Sequence, residues 1–120
     1  MIDSHCHLDL YKNAKDVASK ASERNTFTLA VTTSPRAWLA TSKVFKDLKN
    51  IEIALGLHPE IITEKKQESD LLLNNIRNTA FIGEVGIDGS QKHHATLGQQ
   101  TEMFEKIIRE CNRLGGRIIS

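Results

Sequence analysis

Ile51-Glu52-Ile53-Ala54-Leu55-Gly56-Leu57-His58-Pro59 is a run of apolar and β-branched residues that halts on a histidine and a proline. Such a run suits a strand covered on both faces, as strands in parallel sheets are, and the Pro59 ring ends it. The composition predicts a strand over 51–57. Upstream, Phe27-Thr28-Leu29-Ala30-Val31-Thr32 has the same character and predicts another. Between the two stands Ser34-Pro35, a helix start with a capping hydroxyl and a proline in the first turn, where its missing N–H costs nothing. Trp38, Leu39, Phe45 and Leu48 supply that helix with an apolar face. Strand, helix and strand in succession form one βα beat, the unit of a parallel α/β fold.

The beat continues in both directions. Met1 to His7 reads as a first strand, and Lys12 to Arg24 as a helix whose Ala14, Val17, Ala18 and Ala21 recur at i, i+3, i+4 and i+7. Downstream, a polar helix from about Glu64 to Asn78 carries Leu71, Leu72, Leu73 and Ile76, and Thr79 to Gly86 makes a fourth strand. The best-patterned helix runs from about Thr96 to Leu114, with Leu97, Phe104, Ile107, Ile108, Cys111 and Leu114 on one face and Gly115-Gly116 as its stop. Arg117-Ile118-Ile119-Ser120 opens a fifth strand. The expected fold is therefore α/β: a parallel (β/α) TIM-like barrel, present as roughly the first four βα units plus the start of strand five, within one domain over residues 1–120. A closed barrel of eight units takes about 250 residues. The chain is thus expected to be an N-terminal portion of one, with an exposed sheet edge open to self-association.

Composition narrows the partners. Sixteen Lys and Arg against 15 Asp and Glu leave a net charge of +1, so a bulk-basic nucleic-acid binder is excluded and any DNA contact must be local. No apolar stretch approaches the roughly 20 residues of a membrane span, and Met1-Ile2-Asp3-Ser4-His5 shows no basic leader or apolar run, so no signal peptide is expected. Cys6 and Cys111 have neither disulfide nor zinc spacing and read as reduced, buried thiols. The expectation is a cytoplasmic protein without membrane contact.

Four residues fall where barrels build their chemistry, at the C-terminal ends of strands. In His5-Cys6-His7 the two imidazoles project from one face of a strand while Cys6 turns away, so they can converge on one divalent ion and Cys6 is not their nucleophile. Asp3 shares their parity and could orient an imidazole from one layer deeper. The bland alternative is a pair of surface histidines near a chain end. Glu84 lies in Phe81-Ile82-Gly83-Glu84-Val85-Gly86, where an ionised carboxylate is costly unless paired or bound to metal, and where glycines admit close approach. A solvated carboxylate just past the sheet is the other reading. For His58 a hydrogen-bonding role and a functional one stand equally open. His93 and His94 have no evident partner and read as solvated loop residues. No phosphate-cradling glycine loop or serine elbow is present.

Taken together these pieces resemble one family. Asp3-Ser4-His5-Cys6-His7-Leu8-Asp9 is similar to the opening signature of TatD-type metal-dependent deoxyribonucleases, within the amidohydrolase-like barrels. Gly56-Leu57-His58-Pro59 resembles the second block, Ile82-Gly83-Glu84-Val85-Gly86-Ile87-Asp88 the third, and Gln100 followed by Phe104 the start of the next helix. Order and spacing agree over nearly the whole chain. The resemblance implies metal-dependent hydrolysis of phosphodiester bonds in DNA. It implies that His5 and His7 hold one divalent ion, with Glu84 the catalytic carboxylate that bridges to a second; Mg²⁺, Mn²⁺ and Zn²⁺ are the expected metals. His58 would line the substrate pocket near the phosphate, and Asp88 would support the loop beside Glu84. A barrel of this kind acting on a small amide or ester is an alternative, as is a non-catalytic fragment that binds a partner.

Two departures qualify these expectations. Gly89 follows Asp88 where the family usually carries a large aromatic, so the substrate-facing loop should differ. The family's later ligands, two histidines and an aspartate, are absent through Ser120. His5, His7 and Glu84 alone are expected to hold at most one ion, with little or no nuclease activity. The block around Glu84 and the helix after it also look like the TatD-like nuclease component of Qat anti-phage systems, which would imply defence-system partner proteins.

Overall fold

The computed structural model describes residues 1–24 and 26–120. Strands β1 (Ile2–Cys6), β2 (Phe27–Val31) and β3 (Ile51–Ala54) form a sheet in the order β1-β2-β3. Strands β4 (Phe81–Ile82) and β5 (Ile118–Ile119) form a second pair. Every pairing is parallel, and a parallel bridge between Leu55 and Ile82 carries the order across from β3 to β4. Helices α1 (Ala14–Glu23), α2 (Pro35–Phe45), α3 (Ser69–Asn75) and α4 (Leu97–Leu114) occupy the connections. The expected α/β fold, with strands adjacent in chain order, is the one observed.

Local chemistry accounts for the helix ends. Ser34 Oγ accepts from the Ala37 N–H at 3.2 Å and Pro35 takes the first helical position, so α2 begins where the cap predicts. At the far end of α4, Gly115 and Gly116 adopt φ of 71° and 65°, a region costly for other residues, and the Gly115 N–H closes onto the Cys111 carbonyl at 2.8 Å.

Three expectations need correction. The helix read over 64–78 is broken into a 3₁₀ turn at Lys66–Glu68, α3, and another 3₁₀ turn at Ile76–Asn78. The physical reason is Glu68, whose buried carboxylate turns away to accept the Arg36 N–H at the start of α2, 3.0 Å away. The fourth strand is two residues long instead of eight. Before it, Thr79 Oγ1 ties to Phe81; after it, the backbone of Gly83 and Glu84 leaves the ladder to bond Thr32. Leu39 of α2 faces outward at 46% exposure, while Thr41 is buried in its place.

Side-chain parity divides the core. Ala30 points to the helix side of the sheet, packing with Leu8, Ala18, Phe45 and Ile51, and Cys6 joins it. Leu29, Val31 and Ala54 point to the opposite side, against Phe27 and Phe81. The largest cluster lies under α2, α3 and α4, where Leu55, Leu72, Ile76 and Ile82 are wholly buried around Trp38, Met103 and Ile107. Each such aliphatic burial contributes about 1.5–3 kcal/mol. The inward stripe of α4 is Gln100, Met103, Ile107 and Cys111, with Phe104 and Ile108 on its flank. No helix among the described residues is long and apolar enough to cross a membrane.

One glycine sets the position of the site. A Cβ on Gly56 would stand 1.9 Å from the Thr32 carbonyl oxygen and 2.2 Å from the Glu84 nitrogen. Without it, the end of β2 and the end of β4 meet directly across β3. Thr32 N–H donates to the Gly83 carbonyl at 3.2 Å, Glu84 N–H to the Thr32 carbonyl at 2.9 Å, and Leu57 N–H to the Glu84 carbonyl at 3.0 Å. Both backbone groups of Glu84 are thereby fixed.

Candidate metal centre

His5 is the next-to-last residue of β1, His7 follows the strand, His58 follows β3 and Glu84 follows β4, so all four stand at the C-terminal ends of parallel strands. They converge. Glu84 Oε2 lies 3.3 Å from His7 Nε2 and 3.9 Å from His5 Nε2, while Glu84 Oε1 lies 3.2 Å from His58 Nε2. One ligand atom from each of His5, His7 and Glu84 falls within 4.8 Å of the others. The His5 and His7 rings meet edge to face, centroids 5.5 Å apart. Side-chain exposures of 44%, 30%, 24% and 25% for His5, His7, His58 and Glu84 leave the group open to a ligand from solvent.

The donor set fits a divalent ion. With metal–ligand bonds of roughly 2.0–2.2 Å, neighbouring ligand atoms stand about 3–3.6 Å apart, close to the separations around Glu84 Oε2. Two imidazoles and one carboxylate suit Zn²⁺ or Mn²⁺ chemistry. His58 has a separate part. Its Nδ1 accepts the Glu60 N–H at 3.2 Å, which leaves its ring proton on Nε2, facing Glu84 Oε1. The His58 imidazole therefore aims the carboxylate while its own backbone N–H holds the Thr33 carbonyl at 2.9 Å.

The supporting residues differ from expectation in detail. Asp3 does not reach an imidazole; its Oδ1 accepts the backbone N–H of His5 at 3.3 Å, a local turn-like bond that leaves the ring to another group. That group is Ser120, whose Oγ lies 3.0 Å from His5 Nδ1. Asp88 does brace the loop beyond Glu84. Its Oδ1 accepts the Ser90 N–H at 2.8 Å, and its own N–H donates to Gln100 Oε1 at 2.7 Å. The Ser90 hydrogen bonds hold the Asp88 carboxyl below its ordinary value, assisted by the nearby His93 and His58. Gly89 has nothing within 4 Å of where a Cβ would stand, so the loop there is open.

Cys6 points to the helix side, its thiol 3.7 Å from the Leu29 carbonyl. Desolvation, with Asp3 and Asp9 adding to it, pushes the thiol up to about 11. At neutral pH it is protonated and unreactive, in accord with its parity.

His93 does not match the reading of a solvated loop residue. Its side chain is 15% exposed and its Nε2 stands 3.6 Å from Glu60 Oε2 and 4.0 Å from Asp88 Oδ2. Sequence reasoning missed this group because its members come from three segments with no strand parity to relate them. The one available signal was Glu60 immediately after His58-Pro59.

A parallel α/β layer with an imidazole–carboxylate cluster on the C-terminal rim of its strands has the arrangement of a segment of a (β/α) barrel. The pattern of the TatD related DNase family matches residues 2–119, and the chain belongs to that family. It is 34% identical over 97 residues to an uncharacterised metal-dependent hydrolase of Buchnera aphidicola, covering 73% of this chain and 37% of that protein. It is 25% identical over 125 residues to an uncharacterised metal-dependent hydrolase of Methanocaldococcus jannaschii, covering 98% of this chain and 49% of that protein. The chain thus spans half or less of the length of these curated relatives. The crystal structure of YjjV, a TatD homologue from Escherichia coli K12, superposes with a TM-score of 0.76 over 95% of this chain and 47% of that one, at 18% identity. That likeness establishes the TIM-barrel type of fold.

Proposed function

We propose that this chain carries the first metal-binding segment of a hydrolase that cleaves phosphodiester bonds in DNA. The observation that carries the reading is the convergence of His5, His7 and Glu84 on one point, with three ligand atoms mutually within 4.8 Å. Family membership over residues 2–119 supports the substrate class, since the family's description is that of a DNase. A divalent ion held there would supply a nucleophile at neutral pH and offset the charge of phosphate oxygens. His5 and His7 would hold the ion through Nε2, since the other ring nitrogen of His5 is engaged by Ser120 Oγ. Glu84, fixed by its backbone between the residues that follow β2 and β3, would offer Oε2 to the ion, with Oε1 beside His58. The His58 ring lines the open rim beside the ion, where an anionic substrate would approach, while its Nε2–H stays with Glu84 Oε1.

The test uses the longest product of the gene that contains this chain, incubated with labelled single- and double-stranded DNA and Mn²⁺. Cleavage that stops on chelation, and stops again with Glu84→Gln, is the expected result. Turnover of small amides or esters with DNA left intact would replace the substrate class and keep the metal centre. Metal-independent cleavage unaffected by Glu84→Gln would sink the reading.

A further inference from the structure

A second group of metal-ligating side chains stands apart from His5, His7 and Glu84. Glu60, Asp88 and His93 each offer a ligand atom, all within 4.8 Å of one another. His93 Nε2 is buried, yet its 3.6 Å and 4.0 Å separations from the two carboxylates are too long for hydrogen bonds. It has no hydrogen-bond partner among the described residues. A buried ring nitrogen left without a partner is costly, and this one faces two carboxylate oxygens at those separations. Ligand atoms on one Zn²⁺ at tetrahedral angles sit about 3.3–3.6 Å apart.

The group is held in place from behind. Gln100, 1% exposed, spends its whole amide on this loop: Oε1 accepts the Asp88 N–H, and Nε2 donates to the His93 carbonyl at 3.2 Å and to Thr96 Oγ1 at 2.9 Å. The His93 N–H closes the other side onto the Ser90 carbonyl at 3.0 Å. Asp88 Oδ1 is occupied by Ser90, which leaves Oδ2 toward His93. Glu60 arrives from the turn after His58, its N–H on His58 Nδ1. Two carboxylates and one imidazole, each with a free ligand atom on one side, form an open three-ligand site.

We propose that Glu60, Asp88 and His93 bind a divalent transition-metal ion of the Zn²⁺ type, in a site that shares no ligand with the His5–His7–Glu84 centre. The imidazole selects against Ca²⁺ and Mg²⁺, which prefer oxygen. A fourth coordination position faces solvent on the side of the half-exposed Glu60.

Zn²⁺ titration by calorimetry on the 120-residue chain tests the proposal. In a His5→Ala/His7→Ala background, which removes the first centre, one Zn²⁺ per chain is expected, and adding His93→Gln should abolish it. A His5→Ala/His7→Ala chain that binds no Zn²⁺, or one whose binding His93→Gln leaves unchanged, overturns it. Should these variants fail to fold, as circular dichroism would show, nitrogen NMR of the unsubstituted chain decides. Saturating Zn²⁺ should move the His93 imidazole nitrogens, and unmoved His93 signals overturn the proposal. The hydrolase reading fails separately: if only that is wrong, the His93 site still fills while Glu84→Gln leaves metal binding and DNA cleavage untouched.

Discussion

At the scale of single residues, Glu84 is the side chain on which the first centre depends, because it faces three imidazoles with one carboxylate. Glu84→Gln keeps the shape and removes the charge. It should weaken Mn²⁺ or Zn²⁺ binding at this centre by at least about 10–100-fold, the range for disturbing the groups that tune a metal site. Equilibrium dialysis checks this against circular dichroism spectra that should not change. Cys6 gives a pH-dependent counterpart. Its folded thiol, pushed up to about 11 from 9.0, lies above the unfolded value. The preference for the folded, neutral thiol is therefore complete below about pH 9 and lost as pH rises toward 11. Alkylation of Cys6 by iodoacetamide should be slow at pH 8 and accelerate through that window; rapid labelling at pH 8 would contradict the part-buried, desolvated thiol.

Elements carry their own expectations. Ser34→Ala removes the cap of α2 and should cost about 1 kcal/mol in urea unfolding, within the usual range of 0.5–2. Gly56→Ala should cost more than the ~1–3 kcal/mol of ordinary overpacking, since its Cβ meets backbone atoms that cannot rotate away. It should also displace Glu84 and weaken metal binding, which separates it from a substitution that merely destabilises. Much of this level was legible in advance. Ser34-Pro35 and Gly115-Gly116 mark ends that depend on local chemistry, and His5-x-His7 needs only strand parity. What escaped was decided by distant contacts. Glu68 breaks a helix to reach Arg36, and the inward turn of Gln100 depends on a loop twelve residues upstream. Asp3 was placed by parity alone, yet a competing bond to its own neighbour's N–H claimed it.

For the whole molecule, the first centre joins two separately paired sets of strands, since His5 belongs to β1 and Glu84 follows β4. An ion there stabilises the folded chain by mass action, about 2.7 kcal/mol when its free concentration is 100 times Kd. For a chain of this size each kcal/mol raises Tm by roughly 2–8 °C. Mn²⁺ or Zn²⁺ at that excess should therefore raise Tm by at least about 5 °C. Glu84→Gln should cut the part due to the first centre by about half or more, and a thermal shift unaffected by that change would place the effective ion elsewhere. The α/β architecture and the rim of His5, His7, His58 and Glu84 could be foreseen because they follow from the βα alternation. The Glu60–Asp88–His93 group could not, because only the folded loop brings position 93 against positions 60 and 88.

The close passage over Gly56 has a consequence for how the molecule breathes. The amide protons of Thr32, Leu57 and Glu84 are all engaged in the one crossing that the bare Cα permits. The Thr32 and Glu84 amides are released only when the ends of β2 and β4 part, and the Leu57 amide only when Glu84 leaves the residues after β3, so all three wait on displacement of the same Gly83-Glu84 backbone. These three amides should exchange in unison, slowly and at one rate. The carboxylate they hold is then either in register with its imidazoles or absent from the rim altogether.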